Sequence, residues 1–401
     1  MARYNIMETL LFRKDDKSRA VEGFLKEVDL VDMKKNITKK VDPVILSIVL
    51  ILLVFGLVMI SSAGVIFSQI RFGDEYHLFK RHFLYGIIIG LPAMYLVSKI
   101  NYKFWEKISL PFLGATLFLL VLVLISGVGA SYQGASRWIE FGPISFQPTE
   151  IAKISIIIYL AAWLKGKGSK IQDFKQGLVP FLIILGVVAF LIISQPDIGT
   201  LGVIVMVSLM MLYISGAPIK YIFGILLGGV AFLGILIKLE PYRMSRLTAF
   251  LNPSIDPQGI SYQINQALLA VGSGGIFGLG LGHSRQKFNY LPEPAGDSIF
   301  AIISEELGMV GAVVLLLFFV AFALRGYKIA RYAPDEFGKL VAVGITSWIV
   351  FQALVNIMSI LKLMPLTGIT LPFISYGSTS LVFTLVGVGI LLNISKHSKI
   401  D

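Results

Sequence analysis

Residues 44–66 read VILSIVLILLVFGLVMISSAGVI, a run in which no side chain is charged. About 20 such residues let a helix cross the hydrocarbon of a bilayer, where every backbone N–H and C=O must be satisfied within the segment itself. This first run sets the fold class, an all-α integral membrane protein. Nine further apolar segments follow, at roughly 82–98, 107–126, 147–164, 178–194, 199–214, 219–239, 297–324, 339–360 and 372–394, so the pattern predicts ten transmembrane helices. The two flanking Gln195-Pro196-Asp197 are short, which predicts a tight hairpin.

Composition points the same way. The 401 residues are 56% hydrophobic and only 15% charged, whereas soluble domains run near a quarter charged. Soluble enzyme folds are excluded. The net charge of +11 fits cytoplasmic loops and anionic-lipid contact, and no nucleic acid is expected. With no cysteine and four scattered histidines, there is no disulfide, no thiolate nucleophile and no histidine pair for a metal.

Placing the N-terminus inside puts more than twice as many Lys and Arg on inner as on outer segments. An even number of spans then puts both termini in the cytoplasm. Residues 1–43 form a cytoplasmic N-terminal segment without the apolar core of a cleavable signal peptide. In it Val21, Phe24, Leu25, Val28 and Val31 recur at helical spacing, ahead of Lys34, Lys35, Lys39 and Lys40, as in a surface helix with a basic stop. Residues 44–394 form a single ten-helix membrane domain, with a long extracellular loop, 240–296, between helices 7 and 8. Residues 395–401 are a short cytoplasmic tail.

The informative residues are those that are costly in lipid. Arg137-Trp138 precede the fourth span, and Glu150 and Lys153 open it three residues apart, close enough to pair on one helical face. A basic group beside an outer loop suits a phosphate or pyrophosphate, while a structural ion pair is the plainer reading. In the long outer loop, Arg243 and Arg246 share a face if the stretch is helical and serve either as lipid anchors or as anion-binding groups. The loop also carries Tyr242, Asn252-Pro253 and Asp256-Pro257-Gln258-Gly259. The glycine run 272–282 lacks the strand and the Lys-Ser/Thr of a nucleotide loop, so it reads as bent backbone lining a cavity.

Glu293 and Asp297 lie in Leu291-Pro292-Glu293-Pro294-Ala295-Gly296-Asp297, which runs straight into an apolar helix. Asp297 is placed to cap that helix, to act in a reaction, or both, with desolvation and the helix dipole opposing each other on its pKa. Glu305 and Glu306, deeper in the same helix, read as a structural polar network. Pro365, Gly368 and Pro372 break a late apolar stretch, and broken backbone at membrane depth needs protein or a watery cavity beside it.

In the same order along the chain, RWIEFGPISFQPTEIAK, QPDIGT, GSGGIFGLGLGHSRQKFNYLPEPAGDSIFAIISEELG and PLTGITLPFISYG resemble the SEDS family of bacterial cell-wall proteins, that of FtsW, RodA and SpoVE, over nearly everything after residue 43. The wording of the third motif is closer to the FtsW and SpoVE type. The resemblance implies a peptidoglycan glycosyltransferase that polymerises lipid II into a glycan strand and releases polyprenyl diphosphate, in the bacterial cytoplasmic (inner) membrane. It also implies a class B penicillin-binding transpeptidase as partner, within the division or elongation machinery.

By resemblance, the family's essential aspartate falls on Asp297 and its neighbouring glutamate on Glu293. The arginine-tryptophan pair falls on Arg137 and Trp138, and the buried pair on Glu150 and Lys153. Gly296, Ser298 and Ser378 depart from the usual family residues.

The chemistry fits. A glycosidic bond formed from a polyprenyl-pyrophosphate donor needs a base for the acceptor hydroxyl and positive charge for the departing group. Asp297 supplies the first; Lys153, Arg243 and Arg246 supply the second, with a divalent cation such as Mg or Mn as a conceivable aid. A lipid II flippase and a non-catalytic scaffold for a transpeptidase are the competing readings. The scarcity of midplane charges and of repeats favours the enzyme.

Overall fold

A computed structural model describes residues 40–398, apart from 126–128, 133–134, 142–143, 253–258 and 289. The surface helix expected across Val21–Val31, and Pro253, Asp256, Pro257 and Gln258 of the outer loop, lie outside the described residues.

Each of the ten apolar segments falls on a helix. In chain order these are α1 (Pro43–Ala63), α3 (His77–Lys99), α5 (Ser109–Leu122), α6 (Pro148–Lys167), α7 (Phe174–Ile193), α8 (Ile198–Ile214), α9 (Ile219–Leu239), α12 (Ile299–Arg331), α13 (Glu336–Ile360) and α14 (Ser378–His397). Between them lie α2 (Val65–Phe72), α4 (Lys103–Lys107), α10 (Pro241–Leu251) and α11 (Ile260–Ser273). Seven, namely α1, α3, α7, α9, α12, α13 and α14, are long and apolar enough to cross a membrane; α5 and α8 are shorter. Helix α6 is long enough but carries Glu150, Lys153, Lys165 and Lys167.

Three expectations are corrected. The protein is not all-α: β1 (Gly129–Tyr132), β2 (Ala135–Phe141) and β3 (Ile144–Phe146) form an antiparallel sheet in that order before α6. The physical signal is the alternation in β2, where Ile139 is buried and Glu140 is exposed. The long loop 240–296 carries two helices, α10 and α11. The last apolar segment becomes helical only at Ser378, because Pro372 and the left-handed Phe373 hold the chain irregular before it.

Helix α13 is buried along most of its length and packs against α6, α8, α12 and α14, whereas α9 is almost wholly exposed. Helix α12 is kinked at Gly308 (φ 67°, ψ −167°). The glycine run fills the break with backbone hydrogen bonds, as Met309 N donates to Gly275 O (2.9 Å) and Leu279 N to Glu305 O (3.0 Å). A Cβ on Gly308 would lie 2.3 Å from Gly278 N. Gly308→Ala is therefore expected to cost about 1–3 kcal/mol through overpacking and a disfavoured φ, read as a lower unfolding temperature in detergent. An unchanged temperature would contradict this junction.

Candidate active site

The segment Leu291–Ser298 is held by its backbone. Gly296 N donates to Glu293 O (2.9 Å), Tyr376 N to Ala295 O (2.7 Å) and the Asn356 side chain to Asp297 O (2.7 Å). Among the described residues, the Asp297 carboxylate by contrast receives long contacts, from Gln263 Nε2 of α11 (3.4 and 3.5 Å) and from Ser298 Oγ (3.4 Å). The reading of Asp297 as a helix cap is corrected: Ser298 occupies that position, and its side chain makes no capping bond.

Burial pushes the Asp297 carboxyl up to about 6, and the Glu293 charge adds to the rise, while Gln263, Ser298 and Arg246 hold it down. Desolvation therefore prevails over the hydrogen bonds and the Arg246 charge. Burial also raises Glu293, opposed by Arg71. Glu293 sits at φ 47°, a left-handed conformation uncommon for its residue type and here set between two prolines.

Two cavities meet this segment. The larger, about 1010 Å³, is lined by Glu293, Trp138, Glu140, Tyr376 and Arg71, and along α3 by His77, Arg81, Tyr85 and Ile89. Those four α3 residues, spaced by four, grade the wall from basic to apolar, and Val382 and Phe383 of α14 add to its apolar part. The smaller, about 190 Å³, is lined by Arg246, Tyr262, Gln263, Pro292 and Leu366. Pro292 lines one cavity and Glu293 the other, so the segment carrying Asp297 is a wall shared by both. The segment between the amphipathic cleft and the Arg246 pocket thus carries two carboxyls raised by burial, Glu293 and Asp297.

The remaining candidates divide. Arg246 acts electrostatically on Asp297 and donates to Leu366 O (3.0 Å). Arg243 turns away and donates to Leu236 O near the end of α9 (3.2 Å), so α10 does not present the two arginines together. Arg137 binds the hairpin turn, donating to Gln195 O (2.9 Å) and to Pro196 O. Lys153 is buried against Glu150 (2.9 Å) and Gln352 Oε1 (2.8 Å), with its ammonium 5.0 Å from the Trp348 ring centroid. It belongs to the interior of the bundle and lines neither cavity.

Glu305 and Glu306 form a closed network. Glu305 accepts from Ser284 Oγ and Arg285 N (2.9 Å), and Glu306 from Ser62 Oγ (2.7 Å) and Lys287 Nζ (3.2 Å). They tie the 284–287 turn to α12 and α1.

Arg71, Arg81, Gln263, Tyr376, Gln352 and Asn356 were not singled out from the sequence. The available signal for the last two was a pair of amides four apart inside a span, where unpaired polar groups are costly. Among the described residues, no group of three or more histidine, aspartate or glutamate side chains is placed to hold a metal ion.

Fold and site together define a multi-pass helical membrane protein in which a segment between two cavities carries two raised carboxyls, Glu293 and Asp297. The model of the FtsW, RodA and SpoVE family, described as "Cell cycle protein", matches residues 43–400, and the chain belongs to this family. It is 45% identical to stage V sporulation protein E of Bacillus subtilis over 90% of this chain and 99% of that protein. It is 39% identical to a probable peptidoglycan glycosyltransferase FtsW of Geobacter metallireducens, over 90% and 96%.

Among solved structures, one described as "Structural coordination of polymerization and crosslinking by a peptidoglycan synthase complex" matches with a TM-score of 0.74 at 26% identity, over 90% of this chain and 99% of that one. The rod shape determining protein RodA of Thermus thermophilus matches with a TM-score of 0.67 at 27% identity, over 90% and 98%.

Proposed function

We propose that this protein is a peptidoglycan glycosyltransferase that polymerises lipid II into glycan strands at the outer face of the bacterial cytoplasmic membrane. The observation that carries the reading is the Asp297 carboxyl, which Gln263 of the smaller cavity reaches at 3.4 Å and whose own segment supplies Glu293 to the larger one. The names of the FtsW relatives support the activity. In this reading all ten apolar helices cross the membrane, both termini are cytoplasmic and the 240–296 loop is outside. The positive-inside balance supports that orientation.

The chemistry then falls to named residues. Asp297 accepts the proton of the acceptor 4-hydroxyl as its oxygen attacks the anomeric carbon of the donor, and the bond to the pyrophosphate oxygen breaks. Arg71 and Arg81 offer positive charge to a pyrophosphate in the larger cavity, whose apolar wall suits the polyprenyl chain. Arg246 and Gln263 line the pocket from which Asp297 is reached. Lys153, once a candidate for the pyrophosphate, instead holds the bundle together around Glu150. A class B penicillin-binding protein is the proposed partner, supported by the synthase-complex description of the structural relative.

A flippase would draw on ionisable groups deep in the bundle, and Glu305 and Glu306 are both engaged in the turn network. A base must be ionised to act, so a raised pKa moves the acid limb of activity upward. With purified protein and lipid II, kcat/KM is expected to fall about tenfold per pH unit below pH ~6. A limb at the ordinary aspartate value, near pH ~4, would contradict Asp297 as the base.

A further inference from the structure

Helix α13 supplies two side-chain amides that the chemistry above does not use. Asn356 is fully buried, and its Nδ2 donates to two carbonyls at once, Asp297 O (2.7 Å) and Ile369 O (2.7 Å). Gln352, one turn earlier on the same face, donates through Nε2 to Thr370 O (3.0 Å) and accepts through Oε1 from Lys153 Nζ (2.8 Å) and Trp348 Nε1 (2.8 Å). Both amide orientations are fixed by these partners, because flipping either would set carbonyl oxygen against carbonyl oxygen.

The two amides thus bind consecutive carbonyls, those of Ile369 and Thr370, in a stretch that forms no helix. Gly368, next in that stretch, is left-handed (φ 69°), and a Cβ there would lie 3.9 Å from Asp297 Oδ2. On the far side of the same stretch Tyr376 N binds Ala295 O. The broken segment and the Asp297 segment are therefore fastened to each other at two points, and one of those points is Asn356.

We infer that Asn356 is the positioning residue of the general base, with Gln352 holding the broken segment in register and linking it to the buried Glu150–Lys153 pair. Asn356 is fully buried and lines neither cavity. It fixes the backbone of Asp297, while the carboxylate, held among the described residues by contacts of 3.4–3.5 Å, can take up a proton. A base on an otherwise loop-like segment needs such a hold, since a displacement of about 1 Å costs on the order of 10²-fold in rate.

The inference rests on the glycosyltransferase reading, and wild-type protein run in parallel separates the two: wild type that makes no polymer from lipid II defeats that reading and not this one. The test uses the full chain in liposomes with lipid II, comparing wild type, Asn356→Leu, Asn356→Ser and Gln352→Glu. Asn356→Leu is expected to lower kcat about 10²-fold with KM for lipid II changed less than about threefold, because the substrate walls are untouched.

Its acid limb is also expected to move down in pH. A released segment lets water reach Asp297, whose charged neighbours on the packed elements are Glu293 of its own segment and Arg246 of α10. A shift in the limb is independent of how much protein is folded, so a merely structural role would not produce it. Asn356→Ser keeps one donor and should recover part of kcat, which keeps the inference testable if the leucine variant does not fold. Gln352→Glu keeps the acceptors for Lys153 and Trp348 but loses the donors to Thr370, and should lower kcat less than Asn356→Leu does. An acid limb at the wild-type position in both Asn356 variants, or a loss confined to KM, would overturn the inference.

Discussion

Asp297→Asn is expected to lower kcat by about 10²–10⁴-fold, the range over which a general base contributes, while the protein stays folded in the membrane. The amide keeps the size of the side chain and the backbone bond to Asn356, which uses the carbonyl of residue 297 and not its carboxyl. It cannot accept a proton. Because no helix cap is lost with the carboxylate, the variant should unfold at nearly the wild-type temperature. The residual activity should also lose its acid limb near pH ~6, since that limb belongs to the group removed. Near-normal chain synthesis by the purified variant would remove Asp297 from the reaction.

Lys153→Met alone is expected to cost about 3–5 kcal/mol, because it leaves the Glu150 carboxylate buried without its counter-charge. Glu150 is 5% exposed and Lys153 3%, so neither can reach water to recover the loss. The double variant Glu150→Gln, Lys153→Met should cost clearly less than the sum of the two single losses, and this non-additivity, measured by unfolding in bilayers, is the signature of a coupled pair. The lysine also gives up its bond to Gln352, so its loss should exceed that of Glu150→Gln. Simple additivity would show that the two charges are stabilised separately.

The helices were legible in the sequence because a bilayer enforces long apolar runs, and each run became a helix. Their places in the bundle were not. Helices α9 and α13 are both apolar, yet one is exposed and the other central. The distinguishing residues are the polar ones that bond to neighbours, among them Ser347, Gln352 and Asn356 in α13, since glycines are frequent in α9 as well. The sheet escaped notice because its strands are only 3–7 residues long and lie between two apolar helices, where the segment read as an outer loop.

At the site, the acidic segment was legible from its two prolines and its position before a span. What could not be read was direction. Arg243 and Arg246 are three apart and share a helical face by spacing, but one side chain bonds back to Leu236 O and the other forward to Leu366 O. Arg71 of α2 and Arg81 of α3 carry no local signal, because their role arises where those helices meet Glu293 and Tyr376, more than 200 residues later. Such convergence is a tertiary property with no local pattern to betray it.

The central claim is that this chain itself joins sugars. The most direct measurement gives the purified wild-type protein lipid II as its sole substrate, with no nucleotide and no other protein, and follows both product chains and free polyprenyl diphosphate. A ladder of glycan strands with one polyprenyl diphosphate released per bond formed is the expected result. Lipid II that crosses the bilayer or remains bound without any strand or polyprenyl diphosphate appearing would contradict it.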